Sequence, residues 1–371
     1  RHEALRTGLR EESGLWAHIA PVGTPVSMSV HTDDARAALA ARREQPFDLG
    51  TEPPLRVDAA RLGDDHWLLQ LTVHHIAADE WCAPLLFREL AETYQRVLDS
   101  DTAGTDPGDG PAVQFADAAR WQEQTLDRPG PDGLTLRDAE RGHWAEVLAG
   151  APDELPLPYD RPRPDRPTGR GAVVEFGLSD EVGARLRELA RRTGATPFMI
   201  AHAAVAAVWA RVSGTTDVTL GTPVANRTHP ALESVIGMFT NTVVLRTRID
   251  GDPTAAELIA RIKDEDLRAL DHQMLPFAEI VEATAADRRY GRNPLFQTMI
   301  QYRGPVPDPD FPGLHAQIEP VPPSGAKFDL TVEFLEHADR PGISGRIEYA
   351  CDLFDAPTVE RLAGLLVHAF E

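Results

Sequence analysis

Prolines at positions 152, 156, 158, 162, 164 and 167 leave no room for a regular helix or a central strand between residues 151 and 171. Each removes a backbone donor and fixes φ. That stretch has to run extended over a surface, so the folded parts must lie on either side of it. We place a boundary there, with an N-terminal lobe at 1–160 and a C-terminal lobe at 161–371. The chain is longer than one typical domain, and 42% hydrophobic with 26% charged composition suffices for a substantial core. Elsewhere strand-like runs alternate with amphipathic helices, which predicts a mixed α/β (α+β) fold with open sheets.

In the N-terminal lobe, Leu55 to Leu62 and Trp67 to Val73 read as paired strands around the Gly63-Asp64-Asp65 turn. Leu86, Leu90, Tyr94 and Val97 fall at helical spacing over Glu80 to Leu98, and Pro84 is tolerated in the first turn. Residues 74 to 79 therefore form a strand-to-helix turn. Glu3 to Arg6 read as the inside of a helix, and a further strand and helix of this lobe are expected to precede Arg1. Helices are also predicted over Phe115 to Leu126 and Leu136 to Leu148. In the C-terminal lobe one helix carries Val182, Leu186, Leu189 and Ala190, with Ser179 as its cap and Gly194 at its end. The nearly all-apolar run Phe198 to Val212 predicts a helix buried on most sides. Strands are predicted at Val218 to Thr222, Thr242 to Ile249, Leu295 to Tyr302, Phe328 to Leu335 and Ile343 to Ala350, with helices at Ala255 to Leu270 and Ala356 to Phe370.

A net charge of -21 sets the average field against phosphate backbones and anionic membranes, so neither nucleic acid nor membrane is an expected partner. Cys82 and Cys351 stand far apart without CxxC spacing, which offers neither a disulfide framework nor a zinc cluster. No stretch approaches the roughly 20 apolar residues of a spanning helix, and the first residues do not read as a signal peptide. The expected location is the cytoplasm.

The strand ending at Val73 runs into His74-His75-Ile76-Ala77-Ala78-Asp79-Glu80-Trp81, an HHxxxD pattern. Chance gives about 0.07 occurrences in a chain of this composition. One reading is structural, with a buried histidine, a solvated one, and Asp79 capping the next helix. A metal reading needs at least three ligands, but neighbours on a strand point to opposite faces and no other His/Cys cluster is visible, so no metal is expected. A general-base reading needs one histidine aimed into a cleft where strand becomes turn, and the sequence supplies that arrangement.

His74 to Trp81 resembles the HHxxxDGW motif of condensation domains of non-ribosomal peptide synthetases, members of the chloramphenicol acetyltransferase-like superfamily. Further segments resemble that family's motifs in order: RHEALRT from Arg1, FADAARWQ from Phe115, IGMFTNTVVLR from Ile236, HQMLPFAEIVE from His272, RNPLFQ from Arg292 and AKFDLT from Ala326. Glu80 departs from the usual glycine, Met274 from an acid, and Tyr290 from the usual residues. The family's SxxQxRLW-type first motif is absent.

The resemblance implies two chloramphenicol acetyltransferase-like lobes forming a V around a central tunnel, with the N-terminal element missing. It implies that the tunnel admits the 4'-phosphopantetheine arms of donor and acceptor peptidyl carrier domains. An adenylation domain would be a neighbour in a multidomain synthetase, and the domain itself would bind no cofactor. The implied reaction is aminolysis of a carrier-bound thioester. In it, His75 serves as general base or as the acceptor that positions the amine, and no Ser or Cys nucleophile is required. His74, Asp79, Trp81 and Arg227 are the implied support: Asp79 pairs with Arg227 of the second lobe, and Trp81 packs beneath the turn. For Arg227 the alternative is a solvated loop arginine. Glu80, Asn241 and Thr242 are candidates for lining the cleft, although an amide at a strand start equally serves a turn.

Within this fold, an epimerisation domain would need an EGHGRE-type segment, which the sequence lacks. Heterocyclisation and silent recruitment domains would lose one or both histidines. A coenzyme A-dependent alcohol acyltransferase and a binding platform without turnover are the more distant alternatives. Glu80 is the feature that favours the platform.

Overall fold

The computed structural model describes every residue except 12, 33, 100–109, 285, 287–290, 320 and 322–324; Tyr290 therefore lies outside the described residues. Backbone compactness divides the chain into two units. The first comprises residues 1–125, 225–240 and 308–318.

In this first unit the predicted N-terminal helix is a single 3-10 turn, Ala4–Arg6, followed by the antiparallel hairpin β1 (Thr7–Glu11) and β2 (Leu15–Ile19). Leu9 N donates to Leu49 O, and a Cβ on Gly8 would fall 2.8 Å from that same oxygen, so the close approach leaves no room for a side chain there. A three-stranded sheet pairs β3 (Ser27–His31) parallel to β4 (Leu55–Arg61), which runs antiparallel to β5 (Trp67–Val73). Helix α1 (Ala35–Arg43) lays Ala35 and Leu39 on Ala60. Helices α2 (Cys82–Asp99) and α3 (Phe115–Leu126) follow.

The second unit comprises residues 126–224, 241–307 and 319–371. In chain order it contains α4 (Leu136–Val147), β6 (Gly171–Leu178), α5 (Asp180–Thr193), α6 (Pro197–Ser213), β7 (Asp217–Val224) and β8 (Asn241–Arg248). Then come α7 (Ala255–Asp271), α8 (Phe277–Ala283), β9 (Thr298–Arg303), β10 (Leu330–Glu336), β11 (Ile343–Ala350) and α9 (Ala356–Phe370). The strands form one sheet in the order β6-β11-β10-β9-β7-β8, with β9 parallel to both its neighbours and the other pairs antiparallel. Ser179 caps α5 by accepting from Val182 N, and Gly194 ends it at φ 62, a left-handed conformation suited to glycine. Val205 and Trp209 of α6 and Leu366 of α9 are fully buried in one core with Leu220, Ile300 and Val332 of the sheet.

The proline-rich segment is extended, as expected, and it belongs to this second unit. Leu155 and Leu157 are buried with Trp144, Leu155 N donates to Gln297 Oε1 at 2.9 Å, and the Tyr159 hydroxyl donates to Asp329 Oδ2 at 2.8 Å. Compactness thus divides the chain after Thr125, and position 160 falls inside the second unit.

Between α6, α7 and β8, the buried His202 ring contacts Asp266 Oδ1 at 2.9 Å through Nδ1 and Thr247 Oγ1 at 3.2 Å through Nε2. Neighbouring Glu265 is pushed up to about 7: burial raises it most, His202 draws it down, and Asp266 raises it again. Its folded value lies above its unfolded one, so the folded chain holds a proton that the unfolded chain releases. Stability from this group is present below about pH 4.5 and is lost as pH rises towards 7. Glu265→Gln is expected to unfold like wild type near pH 4.5 and to be more stable by about 1 to 3 kcal/mol at pH 8, as read by urea titrations. Parallel pH dependences of the two proteins would contradict this.

Candidate active site

Strand β5 delivers His74 to the end of the three-stranded sheet, where His74 N donates to Pro54 O at 2.9 Å. The chain then turns: Ala77 N donates to His74 O at 2.9 Å and Cys82 N to Asp79 O at 3.1 Å, and α2 begins. His74 is half-buried. Its Nδ1 accepts from Ile76 N at 3.1 Å, and its ring meets Phe47 edge-on at 5.8 Å. His75 is exposed, and its Nδ1 lies 2.9 Å from Ala78 O. A carbonyl oxygen only accepts, so Nδ1 carries the hydrogen, and in the neutral ring Nε2 presents its lone pair outward. The main chain of the turn thus orients one free acceptor.

Asp79 is buried and draws five donors. Arg227 Nη1 reaches Oδ2 at 2.9 Å and Nη2 reaches Oδ1 at 3.0 Å, a bidentate pair. Phe239 N and Thr240 N donate to Oδ2 at 2.9 and 3.1 Å, and Cys82 Sγ lies 3.2 Å from Oδ1. Burial alone would raise the Asp79 carboxyl; Arg227, Cys82 and the Phe239 amide outweigh it and hold the group below the usual carboxylate range. The Arg227 guanidinium also lies over the Phe239 ring, 4.5 Å from its centroid. Arg227 is accordingly a buried partner of Asp79 and not a solvated loop arginine. Residues 225–240, although far along the chain, belong to the same compact unit as the histidines. Gly237 permits that approach: a Cβ there would fall 2.2 Å from the Phe115 ring.

Trp81 departs from the expectation that it packs beneath the turn, being 43% exposed. Cys82 and Leu85 take the inward positions, packed with Ile236, and Trp81 precedes the helix, off that face. Glu80 is exposed as well. Asn241 serves a turn within the second unit. Its Nδ2 donates to Gln273 O and Leu275 O at 2.8 and 2.7 Å, and its Oδ1 accepts from Phe277 N at 3.0 Å, so the whole amide is engaged. Thr242 is half-buried and pairs with Pro223 in the β7–β8 ladder.

Several participants escape sequence reasoning. The Ala78 carbonyl and the Phe239 and Thr240 amides are main-chain groups with no residue signature. Cys82 could have been found from its place three residues after Asp79 at a helix start. Its buried thiol is pushed up by desolvation, so it is a packing and hydrogen-bonding group, not a nucleophile. Among the described residues no three His, Cys, Asp or Glu side chains converge as metal ligands would. The arrangement is suited to receiving a proton or an N–H at a single oriented imidazole nitrogen.

Comparison with known proteins places this geometry in a family. The profile of the family described as "Condensation domain" matches residues 1–371. The phosphinothricin tripeptide synthetase PhsC of Streptomyces viridochromogenes is 38% identical over 375 residues, covering 98% of this chain and 33% of that protein. A dimodular nonribosomal peptide synthase of Bacillus subtilis is 36% identical over 383 residues, covering 100% of this chain and 16% of that one. The chain thus spans a third or less of either relative. Among solved structures, the X-domain from teicoplanin biosynthesis superposes with a TM-score of 0.88 at 32% identity, covering 100% of this chain and 83% of that one. The same X-domain has also been solved in complex with OxyB.

Proposed function

Because the chain belongs to the condensation-domain family of non-ribosomal peptide synthetases, whose members are acyltransferases that form amide bonds, we propose that His75 is the residue at which its transfer takes place. The single observation that carries this reading is the exposed imidazole whose Nδ1 is committed to Ala78 O. The acceptor α-amine attacks the donor thioester carbonyl, the new C–N bond forms as the C–S bond breaks, and the pantetheine leaves as a thiolate, which becomes the free thiol on taking up the proton lost by the amine. His75 Nε2 receives the amine N–H during attack. An amine of pKa about 8 is already partly neutral near pH 7, so the same lone pair serves a general base and a positioning acceptor alike. The Asp79–Arg227 node keeps the turn, and with it the imidazole, in place.

The substrates are carried on the 4'-phosphopantetheine arms of donor and acceptor peptidyl carrier domains, with an adenylation domain as neighbour in a cytoplasmic synthetase. The domain holds no cofactor of its own. An acceptor carrier loaded with a free aminoacyl group is expected to gain the donor acyl group, and the same acceptor with an acetylated amine to gain nothing. Transfer from coenzyme A to an alcohol, without transfer between carriers, would overturn this in favour of an alcohol acyltransferase.

A second reading, a binding platform without turnover, draws on the likeness to the X-domain solved with OxyB and on Glu80 beside the turn. It predicts binding of a partner protein and no product under the same conditions.

A further inference from the structure

The histidine turn is held from a second side by the loop of residues 45–52, between α1 and β4. That loop closes on itself through Asp48 O, which accepts from Thr51 N and Glu52 N at 3.0 and 2.9 Å. Arg56, on β4 and 3% exposed, organises it. Its Nε and Nη2 grip the Glu52 carboxylate at 2.9 and 2.5 Å, Nη1 donates to Gln45 O at 2.9 Å and Nη2 to Pro46 O at 2.9 Å. The same guanidinium lies 4.0 Å from the centroid of the Phe47 ring. A buried cation with its donors spent on one short loop fixes that loop's geometry, and here it fixes the plane of an aromatic ring.

Phe47 is only half-buried, so it is not a core side chain valued mainly for its area. What it touches is His74, edge-on, with an angle of 88° between the rings. This interaction holds the imidazole in the plane from which Nδ1 accepts from Ile76 N. Rotation of the His74 ring would release that amide and loosen the turn from which His75 is aimed. The loop's exit strengthens the link, because Pro54 O accepts from His74 N.

We propose that Phe47, clamped by Arg56, is a positioning residue for the acyl transfer: it fixes His74 and through it the orientation of His75. The proposal rests on the assignment of His75 above. It is tested with Phe47→Leu, Phe47→Tyr, Arg56→Lys and His75→Ala in the intact protein. Single-turnover transfer is followed across pH at several carrier concentrations, alongside thermal unfolding.

Phe47→Leu keeps the apolar volume and removes the ring. It is expected to slow transfer about 10- to 100-fold, the scale of a small misplacement of a reacting group. The carrier half-saturation concentration stays unchanged and the pH–rate profile is displaced from wild type. Phe47→Tyr, which keeps the ring edge, restores the rate to within about twofold, and Arg56→Lys follows Phe47→Leu because an ammonium cannot reproduce the planar fork. A merely structural residue would lower the unfolding temperature and scale the rate with the folded fraction, leaving the profile in place; that result for Phe47→Leu overturns the proposal. So does a wild-type rate for Phe47→Leu while His75→Ala is inactive. A wild-type rate for His75→Ala overturns the assignment of His75 itself, and the proposal with it.

Discussion

Asp79→Ala is expected to lower stability by about 3 to 5 kcal/mol, because it strands a buried guanidinium. Arg227's side chain is 8% exposed and Asp79's fully buried, so the cation would keep its desolvation cost and lose its counter-charge. The Phe239 and Thr240 amides and the Cys82 thiol would lose their acceptor in the same step. Arg227→Ala should cost a comparable amount, since it leaves the carboxylate alone. The double variant Asp79→Ala with Arg227→Met should be more stable than the sum of the single losses implies, because it removes the unpaired charge and restores apolar volume. The Asp79 carboxyl is held below its ordinary range, so the pair's contribution is present above the usual carboxylate pKa and is lost as pH falls through the lowered folded value. Urea or thermal unfolding of the two single variants and the double variant measures all of this. Unchanged melts for both single variants would show that the node carries no stability.

His75→Ala has the largest expected effect on rate, a loss of about 100- to 10,000-fold in single-turnover transfer, the usual worth of positioned proton acceptance. The side chain is exposed and its hydrogen bond is to the neighbouring Ala78 carbonyl, so its removal opens no core cavity. The stability change should stay within about 0.5 kcal/mol. The contrast with Asp79→Ala is diagnostic: one variant separates rate from stability, and the other couples them. A His75→Ala protein that melts like wild type and transfers at the wild-type rate would remove His75 from the chemistry.

Much of this was legible in the sequence where long-range order has a local signature. The buried run that became α6 and the capped helix α5 with Gly194 at its end were read from periodicity and caps. The HHxxxD pattern locates the turn; the family resemblance alone implies Arg227 as the partner of Asp79, with a solvated loop arginine as the alternative, and the bidentate pair decides between them. What escaped had no such signature. Strands β1 to β3 are short, and Leu15, Trp16, Met28 and Val30 are exposed, so no apolar face marks them. Prolines mark an extended segment but not the surface it docks on. That was decided by Leu155, Leu157 and Tyr159, whose partners Gln297 and Asp329 lie more than a hundred residues away. A tryptophan beside a helix start suggests burial, whereas the inward positions belong to Cys82 and Leu85 and Trp81 is exposed. An amide at a strand start suits a cleft wall or a turn, and its three hydrogen bonds commit Asn241 to the turn before α8.

Amide formation between two carrier-bound groups, as proposed for this chain, leaves a mass signature on each carrier. The most direct measurement is a single turnover between one pre-loaded donor carrier and one pre-loaded acceptor carrier, with the intact mass of each followed in time. The acceptor is expected to gain the mass of the donor acyl group while the donor carrier returns to its free thiol, both at one rate, and His75→Ala is expected to suppress the two changes together. A donor that stays loaded, or loses its acyl group to water while the acceptor mass is unchanged, would rule out amide transfer between the carriers.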